Sequence, residues 1–315
     1  EMWPALMEKA FAKFLGSYRE AAGGTDVFAF TPLTGGTSER IEMKDTNKSL
    51  LFTRVCNALV AGSVLSCSVP EENDGQMGLA GGHAYTLTGA ARLSYQGKQT
   101  RLVKIRNPWG KAKGEWTGGW SDNSSEWILV NKDAVNKLKN ECKGDGEFWM
   151  SLVDYFKYFS ATSICNFVPD FDKDGTPDDL TQLSVMFGEW KGPTAAGHDV
   201  EEKFKNPKFT FTIPDTGAPS IPVVIQFIRE RDSRRELNEC YIRLDCYKME
   251  AEHEVQNTCV VDEITNFMTF WGGPDISYRY TMEPGRYMVV PTTMKAGIEK
   301  EFCIRLFASV DVPCE

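Results

Sequence analysis

Long apolar runs are missing from this chain of 315 residues. The best candidate, around 221–228, is broken by Pro222 and Gln226, well short of the roughly 18–20 residues that cross a bilayer. No transmembrane segment is therefore expected. Surplus positive charge is missing too: 35 Lys and Arg stand against 44 Asp and Glu, a formal net charge of -9. That balance disfavours binding to phosphate backbones, so nucleic acid is not an expected partner, whereas divalent cations suit it. No CxxC pair occurs, and the nine cysteines are odd in number and scattered. They read as reduced, mostly buried thiols in a cytosolic (cytoplasmic) protein. Two N-x-S/T matches (Asn47–Ser49 and Asn123–Ser125) carry little weight without a signal peptide. An initiator Met is also lacking. The chain opens at Glu1, already inside a helical pattern, and is expected to be a fragment or processed product with something covalently upstream.

What is present is a core-forming composition: 42% hydrophobic, with eight Trp, nineteen Phe and ten Tyr. This excludes disorder as the dominant state, and at roughly 150 residues per domain the length suggests two domains. Trp3, Leu6, Met7, Ala10, Phe11, Phe14 and Leu15 recur at helical spacing, predicting a helix over about 1–16, with Pro4 tolerated in its first turn and Gly16 as its stop. A second helix is predicted through Leu50, Leu51, Val55, Leu59 and Val60, ending at Gly62. A strand at Val64–Val69 follows. Ala84–Tyr95 and Thr100–Arg106 flank Gln96-Gly97-Lys98 and read as a hairpin. Short helices are expected at about 132–141 and 151–160, the latter capped by Ser151. The polar segment 169–182 reads as an acidic linker, and eight strand-like segments follow it: 208–213, 221–228, 240–248, 258–262, 266–271, 276–281, 286–291 and 301–308. That spacing suggests an antiparallel sandwich. The first half is thus mixed α+β and the second all-β.

Three histidines leave few candidates for acid–base chemistry. His198 and His253 lie in polar, loop-like surroundings without an obvious partner. His83 follows Gly81-Gly82 and opens a strand, and Asn107 ends the returning strand in KIRNPWGK. A modest bulge would set the two side by side, at a Cβ separation of about 5 Å. A His held by an Asn amide oxygen is the supporting half of a thiol-protease triad, its other nitrogen facing a Cys thiol. Trp109 could shield that hydrogen bond from water.

Together the strings GHAYTLTG, RNPWG, EWTGGWSDNSSEW, GDGEFWMSLVDYFKYFS and ICNF resemble the second half of a calpain protease core. NPKFTFTI and GRYMVVPTT…EFCIRLF are similar to the β-sandwich, often described as C2-like, that follows the core in that family. The opening EMWPALMEKAFAKFLGSYREAAGG resembles the helix leading into the second core subdomain. The resemblance implies an α+β fold: a papain-like, β-rich half of a calpain core over 1–168, the acidic linker 169–182, and an all-β antiparallel sandwich over 183–315. It implies His83 and Asn107 as triad members, with Trp109 beside them. The family's nucleophile lies in a Gly-x-Cys-Trp stretch upstream of where this chain begins, and no Cys here has that context. Cys67 falls on a strand and Cys56 in a helix pattern, so this chain alone is expected not to cleave peptides.

The resemblance also implies calcium. The loops EWTGGWSD and KGDGE correspond to the family's cation site, with Glu115, Asp122 and Asp145 donating side-chain oxygens and Lys143 and Glu147 backbone or carboxylate oxygens. Such a hard cation takes six to eight oxygens. KAKG (111–114) lengthens the loop before Glu115 relative to many family members. Asp170, Asp172, Asp174 and Gly175 match the opening of an EF-hand loop, but Thr181 stands where the bidentate Glu belongs, so a flexible linker is the expectation. RERDSRRELNE (229–239) is a mixed-charge loop that could meet phospholipid or calcium. The expected function is a calcium-dependent cysteine endopeptidase acting on protein substrates. The alternative is a non-catalytic, calpain-derived module that binds calcium, phospholipid or protein.

Overall fold

The computed structural model describes residues 2–44, 46–110, 115–138, 146–251, 254–255, 273 and 275–315, apart from 231–239. The chain divides into two compact units, Ala29–Pro177 and Asp178–Glu315, the latter grouped with Glu1–Phe28. The opening helices are α1 (Trp3–Phe14), with Pro in its first turn, and α2 (Tyr18–Ala21), whose N-cap Ser17 accepts from the Glu20 N–H. α3 (Val27–Thr34) follows.

The first unit contains β1 (Thr37–Glu42), α4 (Lys48–Val60), β2 (Val64–Val69), β3 (His83–Tyr95), β4 (Lys98–Arg106), α5 (Lys132–Leu138), β5 (Glu147–Ser151), α6 (Leu152–Tyr158) and β6 (Ala161–Asn166). Among the described residues the strands form one antiparallel sheet in the order β1-β6-β2-β3-β4-β5. Local chemistry fixes the helix starts: Asn47 Oδ1 accepts from the Ser49 and Leu50 N–H groups, and Ser151 Oγ accepts from the Asp154 N–H. α4 lays Leu51, Phe52, Val55 and Ala58 into a core shared with Leu65, Tyr85, Leu87, Ile105, Phe148 and Met150.

The β3–β4 hairpin runs from the pair Tyr95–Lys98 to Thr86–Arg106, with an irregularity between Leu87 and Gly89. The extra residue, Thr88, shifts the alternation of faces. Before it Tyr85 and Leu87 enter the main core; after it Leu93 joins a second cluster with Leu102, Trp120, Trp127 and Trp149. The bulge predicted from sequence is present, but it moves the register by one residue only.

In the second unit β7 (Gln182–Trp190), β8 (Phe209–Ile213), β9 (Ile221–Arg229), β10 (Ile242–Ala251), β11 (Glu254–Val255), β12 (Asp275–Met282), β13 (Gly285–Thr293) and β14 (Lys300–Ala308) form two sheets, β11-β10-β13-β8 and β12-β9-β14-β7. All described pairings are antiparallel. Trp190, Phe211, Val223, Ile225, Phe227, Ile242, Val289 and Ile304 fill the space between them. The strand segments expected at 258–262 and 266–271 lie outside the described residues. β7 is an addition to the sequence reading. Its Gly188 breaks the strand pattern because a Cβ there would stand 2.6 Å from Phe302 Cζ and 2.8 Å from Phe209 Cζ.

The segment 192–206 runs across the outer face of β10 and β13. There the fully buried Asp245 carboxylate accepts from Arg243 Nε at 2.6 Å and from the Tyr247 hydroxyl at 3.2 Å. Lys203 Nζ donates to Tyr247 Oη at 2.7 Å and lies 3.8 Å from Asp245. His198, which showed no partner in the sequence, sits 3.8 Å from the same carboxylate and 3.2 Å from Thr292 Oγ1. Burial holds its pKa below the usual histidine range, against the pull of Asp245. His253 lies outside the described residues.

Candidate active site

His83 is the first residue of β3, paired with Val69 of β2, and Asn107 follows the last residue of β4. His83 Nε2 meets Asn107 Oδ1 at 2.9 Å, and the Trp109 backbone N–H donates to the same Oδ1 at 3.0 Å. A backbone N–H can only donate, so the atom it meets is the amide oxygen and not the nitrogen. His83 Nε2 must then carry the proton, which leaves Nδ1 as the basic nitrogen of the neutral ring. The Asn107 side chain is fully buried, while its own backbone is tied by N–H to Gly146 O at 2.8 Å and by C=O to the Gly110 N–H at 3.0 Å.

The β3–β4 pairing ends at Thr86–Arg106, so His83 and Asn107 meet just beyond it, where the chain turns through Asn107–Gly110. The rings of His83 and Trp109 stack at a centroid distance of 3.8 Å and an angle of 27°, and Tyr85 meets the imidazole edge-on at 5.0 Å. Trp109 is 57% exposed. It is a lid over one face of the imidazole rather than part of the core. Tyr85, which the sequence reading passed over, ties this strand to the preceding loop: its hydroxyl accepts from the Ala80 N–H at 2.8 Å, and burial raises its pKa.

Cys67 is fully buried on β2, and Cys165 is fully buried on β6. Burial outweighs the pull of Arg92 and Arg101 on the Cys56 thiol and pushes its pKa up.

Glu115 and Asp122 line one cavity of about 560 Å³, walled by the residues from Glu115 to Glu126 other than Trp120. Glu126, Asn123 and the neighbouring serines add oxygens that sequence reading did not single out, although the polar run SDNSSE between two Trp carries the signal. Trp116 and Trp127 shape this wall by donating indole N–H groups to Gly119 O and Ser121 O at 2.8 and 2.9 Å. Carboxylate, hydroxyl and carbonyl oxygens with no nitrogen or sulfur ligand fit a hard cation such as calcium. Glu147 is placed elsewhere: its carboxylate takes Lys104 Nζ at 2.6 Å and the Thr88 hydroxyl at 2.7 Å, and it does not line the cavity. Lys143 and Asp145 lie outside the described residues, as does 231–239 of the mixed-charge loop.

Within the segment read as a linker, ligand oxygens of Asp170, Asp172 and Asp174 lie within 4.8 Å of one another. They are turned onto their own backbone: Asp170 accepts from the Gly175 N–H at 2.8 Å and Asp172 from the Asp174 N–H at 3.0 Å. Asp170 is buried, and that burial pushes its pKa up to about 6 despite the hydrogen bond from Gly175.

A histidine with Nε2 bound to an Asn amide is a pairing of the kind that Cys-His-Asn thiol proteases use. Residues 1–166 match the calpain family cysteine protease model, and residues 186–307 match domain III of the calpain large subunit. The chain belongs to the calpain family. It is 30% identical to Calpain-9 of Rattus norvegicus over 98% of its own length and 46% of that protein. It is 32% identical to the Calpain-1 catalytic subunit of Sus scrofa, covering 98% and 46%. Against Calpain clp-4 of Caenorhabditis elegans the identity is 30%, covering 98% and 48%. The chain spans about half the length of the curated relatives it matches. Among the described residues no helix is long and apolar enough to cross a membrane.

Proposed function

We propose that this chain carries the His/Asn half of a calcium-dependent cysteine endopeptidase acting on protein substrates. The observation behind this reading is the fixed tautomer of His83: Asn107 Oδ1, pinned by the Trp109 N–H, receives the proton on Nε2 and leaves Nδ1 able to accept one. In acyl transfer the basic nitrogen takes the proton of a Cys thiol as the sulfur attacks a peptide carbonyl. The imidazolium then returns it to the leaving amine. Asn107 orients the ring and supports its charged form, and Trp109 limits water at that hydrogen bond. The thiol would come from a Gly-x-Cys-Trp segment that none of the nine cysteines provides, so hydrolysis is expected of a protein carrying such a segment and not of these 315 residues alone.

Calcium fits as a switch rather than a participant. Glu115 and Asp122, with Asp145 and backbone oxygen of Lys143, would hold it; Glu147 would add a backbone oxygen, or a carboxylate oxygen by leaving Lys104 and Thr88. The ion would supply positive charge that orders the acidic loops. The residues themselves bring no bond-making group to the substrate. The sandwich would offer loops for phospholipid contact in a cytoplasmic setting.

The test is calcium-dependent hydrolysis of a fluorogenic peptide by the complete protein. His83→Ala is expected to abolish it, and equal rates would remove His83 from its role. Calorimetry gives a separate reading: calcium heat is expected for the wild type and not for Glu115→Ala combined with Asp122→Ala. Calcium heat without hydrolysis would favour the rival reading, a non-catalytic calcium- or lipid-binding module.

A further inference from the structure

The loop from Pro70 to Gly82 joins β2 to β3 and delivers the chain to His83. It is closed on itself by Gly75 N–H to Leu79 O at 2.9 Å and Gly81 N–H to Asp74 Oδ1 at 2.8 Å. It is tied to β3 through the Ala80–Tyr85 hydrogen bond. Its tip is Met77 and Gly78, with φ of 51° and 85°. This tip rests on the acidic loop. Met77 O accepts from the Thr117 N–H at 2.9 Å, and Gly78 stands so close that a Cβ would lie 2.2 Å from Glu115 O. Both loops also anchor on Tyr158: Trp116 packs against its ring at 5.1 Å, and the Asn73 amide donates to its carbonyl at 2.9 Å.

We propose that Gly78 is a positioning residue: because it has no side chain, the loop entering His83 can sit on the Glu115–Thr117 backbone and take its position from the acidic loop. The proposal rests on the protease reading, since the 70–82 loop then forms a wall of the cleft beside His83. Glu115 lines the cavity, and its carbonyl meets Gly78. A rearrangement of the acidic loop around a cation moves that carbonyl, and the tip with it. His83 is less exposed to this movement than the substrate-facing loop, because strand pairing, Asn107 and Trp109 hold its ring.

The test compares Gly78→Ala with Gly97→Ala in the complete protein. Gly97 has φ of 75° and nothing within 4 Å of a would-be Cβ, so it carries the backbone strain without the collision. Expected for Gly78→Ala is a KM about tenfold higher, with kcat and the acidic limb of the pH profile within about twofold of wild type; Gly97→Ala changes none of these. A fall in kcat at unchanged KM means loss of folded enzyme and overturns the proposal. So does no change at all. Amide exchange reads the same contact without activity. The Thr117 amide and residues 74–82 are expected to exchange at least about tenfold faster in Gly78→Ala while His83–Tyr95 stays protected. Unchanged Thr117 exchange overturns the proposal. Calcium added to the wild type is expected to alter exchange in both loops, and in Gly78→Ala only in 115–126; transmission surviving in the variant also overturns it. Absent hydrolysis in the wild type would sink the protease reading, and the Thr117 amide would still decide the contact.

Discussion

The indole of Trp109 lies on the imidazole of His83 while its backbone N–H donates to Asn107 Oδ1, the acceptor of that same imidazole. One residue thus acts on both ends of a single hydrogen bond. Its ring covers the histidine, and its amide fixes which way the carboxamide faces.

The ring should therefore be separable from the amide. Trp109→Phe keeps an aromatic face and is expected to lose less than about fivefold in kcat/KM, whereas Trp109→Ala opens the hydrogen bond to water and loses about tenfold or more. Steady-state hydrolysis by the complete protein checks this. Equal losses in the two variants would mean that the stacked ring does nothing.

Asn107→Ala removes the acceptor of both N–H groups. We expect kcat to fall about 10²-fold or more with KM little changed, as for loss of an orienting group. The vacated site also leaves the Trp109 N–H without its partner, at a cost of about 1–3 kcal/mol in stability. Urea unfolding followed alongside activity separates the two effects. A variant destabilised but fully active would contradict the orienting role.

Asp170 gives a pH prediction whose sign runs opposite to that of a salt-bridged acid. Its folded pKa is raised to about 6 from 3.8, so the folded state binds the proton more tightly than the unfolded chain. Above pH 6 the buried charge is a liability. As pH falls from 6 towards 4 the native state regains about 1–3 kcal/mol from this group. Asp170→Asn, measured in chelator by urea unfolding at pH 4.5 and 7.5, is expected to be relatively more stable at the higher pH. The same pH response in both proteins would show that Asp170 titrates normally.

In the sandwich, Asp245→Ala leaves Arg243 and Lys203 facing each other without the carboxylate that they share. Breaking a buried pair in this way costs about 3–5 kcal/mol, whereas Tyr247→Phe removes one hydroxyl bond and costs about 1 kcal/mol. Thermal unfolding should rank them so. Similar shifts for both would mean that the carboxylate is not the hub of the 192–206 strap.

How much could be read from sequence depended on whether a segment faces one environment or two. The His83–Arg106 hairpin was legible because Gly97 supplies the turn and the apolar positions alternate on either side of it. α4 and α6 were legible because each has one apolar face and a capping Asn or Ser. β6 was not: Ala161–Asn166 is buried throughout, so polar and apolar residues follow no alternation. β7 was also missed, since Leu183 and Phe187 are exposed while Gly188 lies over aromatic rings.

By itself, the order of residues determined that a histidine after Gly81-Gly82 and an asparagine before Pro108 end two neighbouring strands, and that acids recur in the loop beyond them. Those are local facts of turn chemistry and spacing. Only the tertiary structure decided that the two side chains meet, that Trp109 covers the imidazole, and that Glu147 pairs with Lys104 rather than lining the cavity with Glu115 and Asp122. Those relations depend on contacts between residues far apart in the chain, such as His83 with Asn107 and Lys104 with Glu147, and no local spacing encodes them.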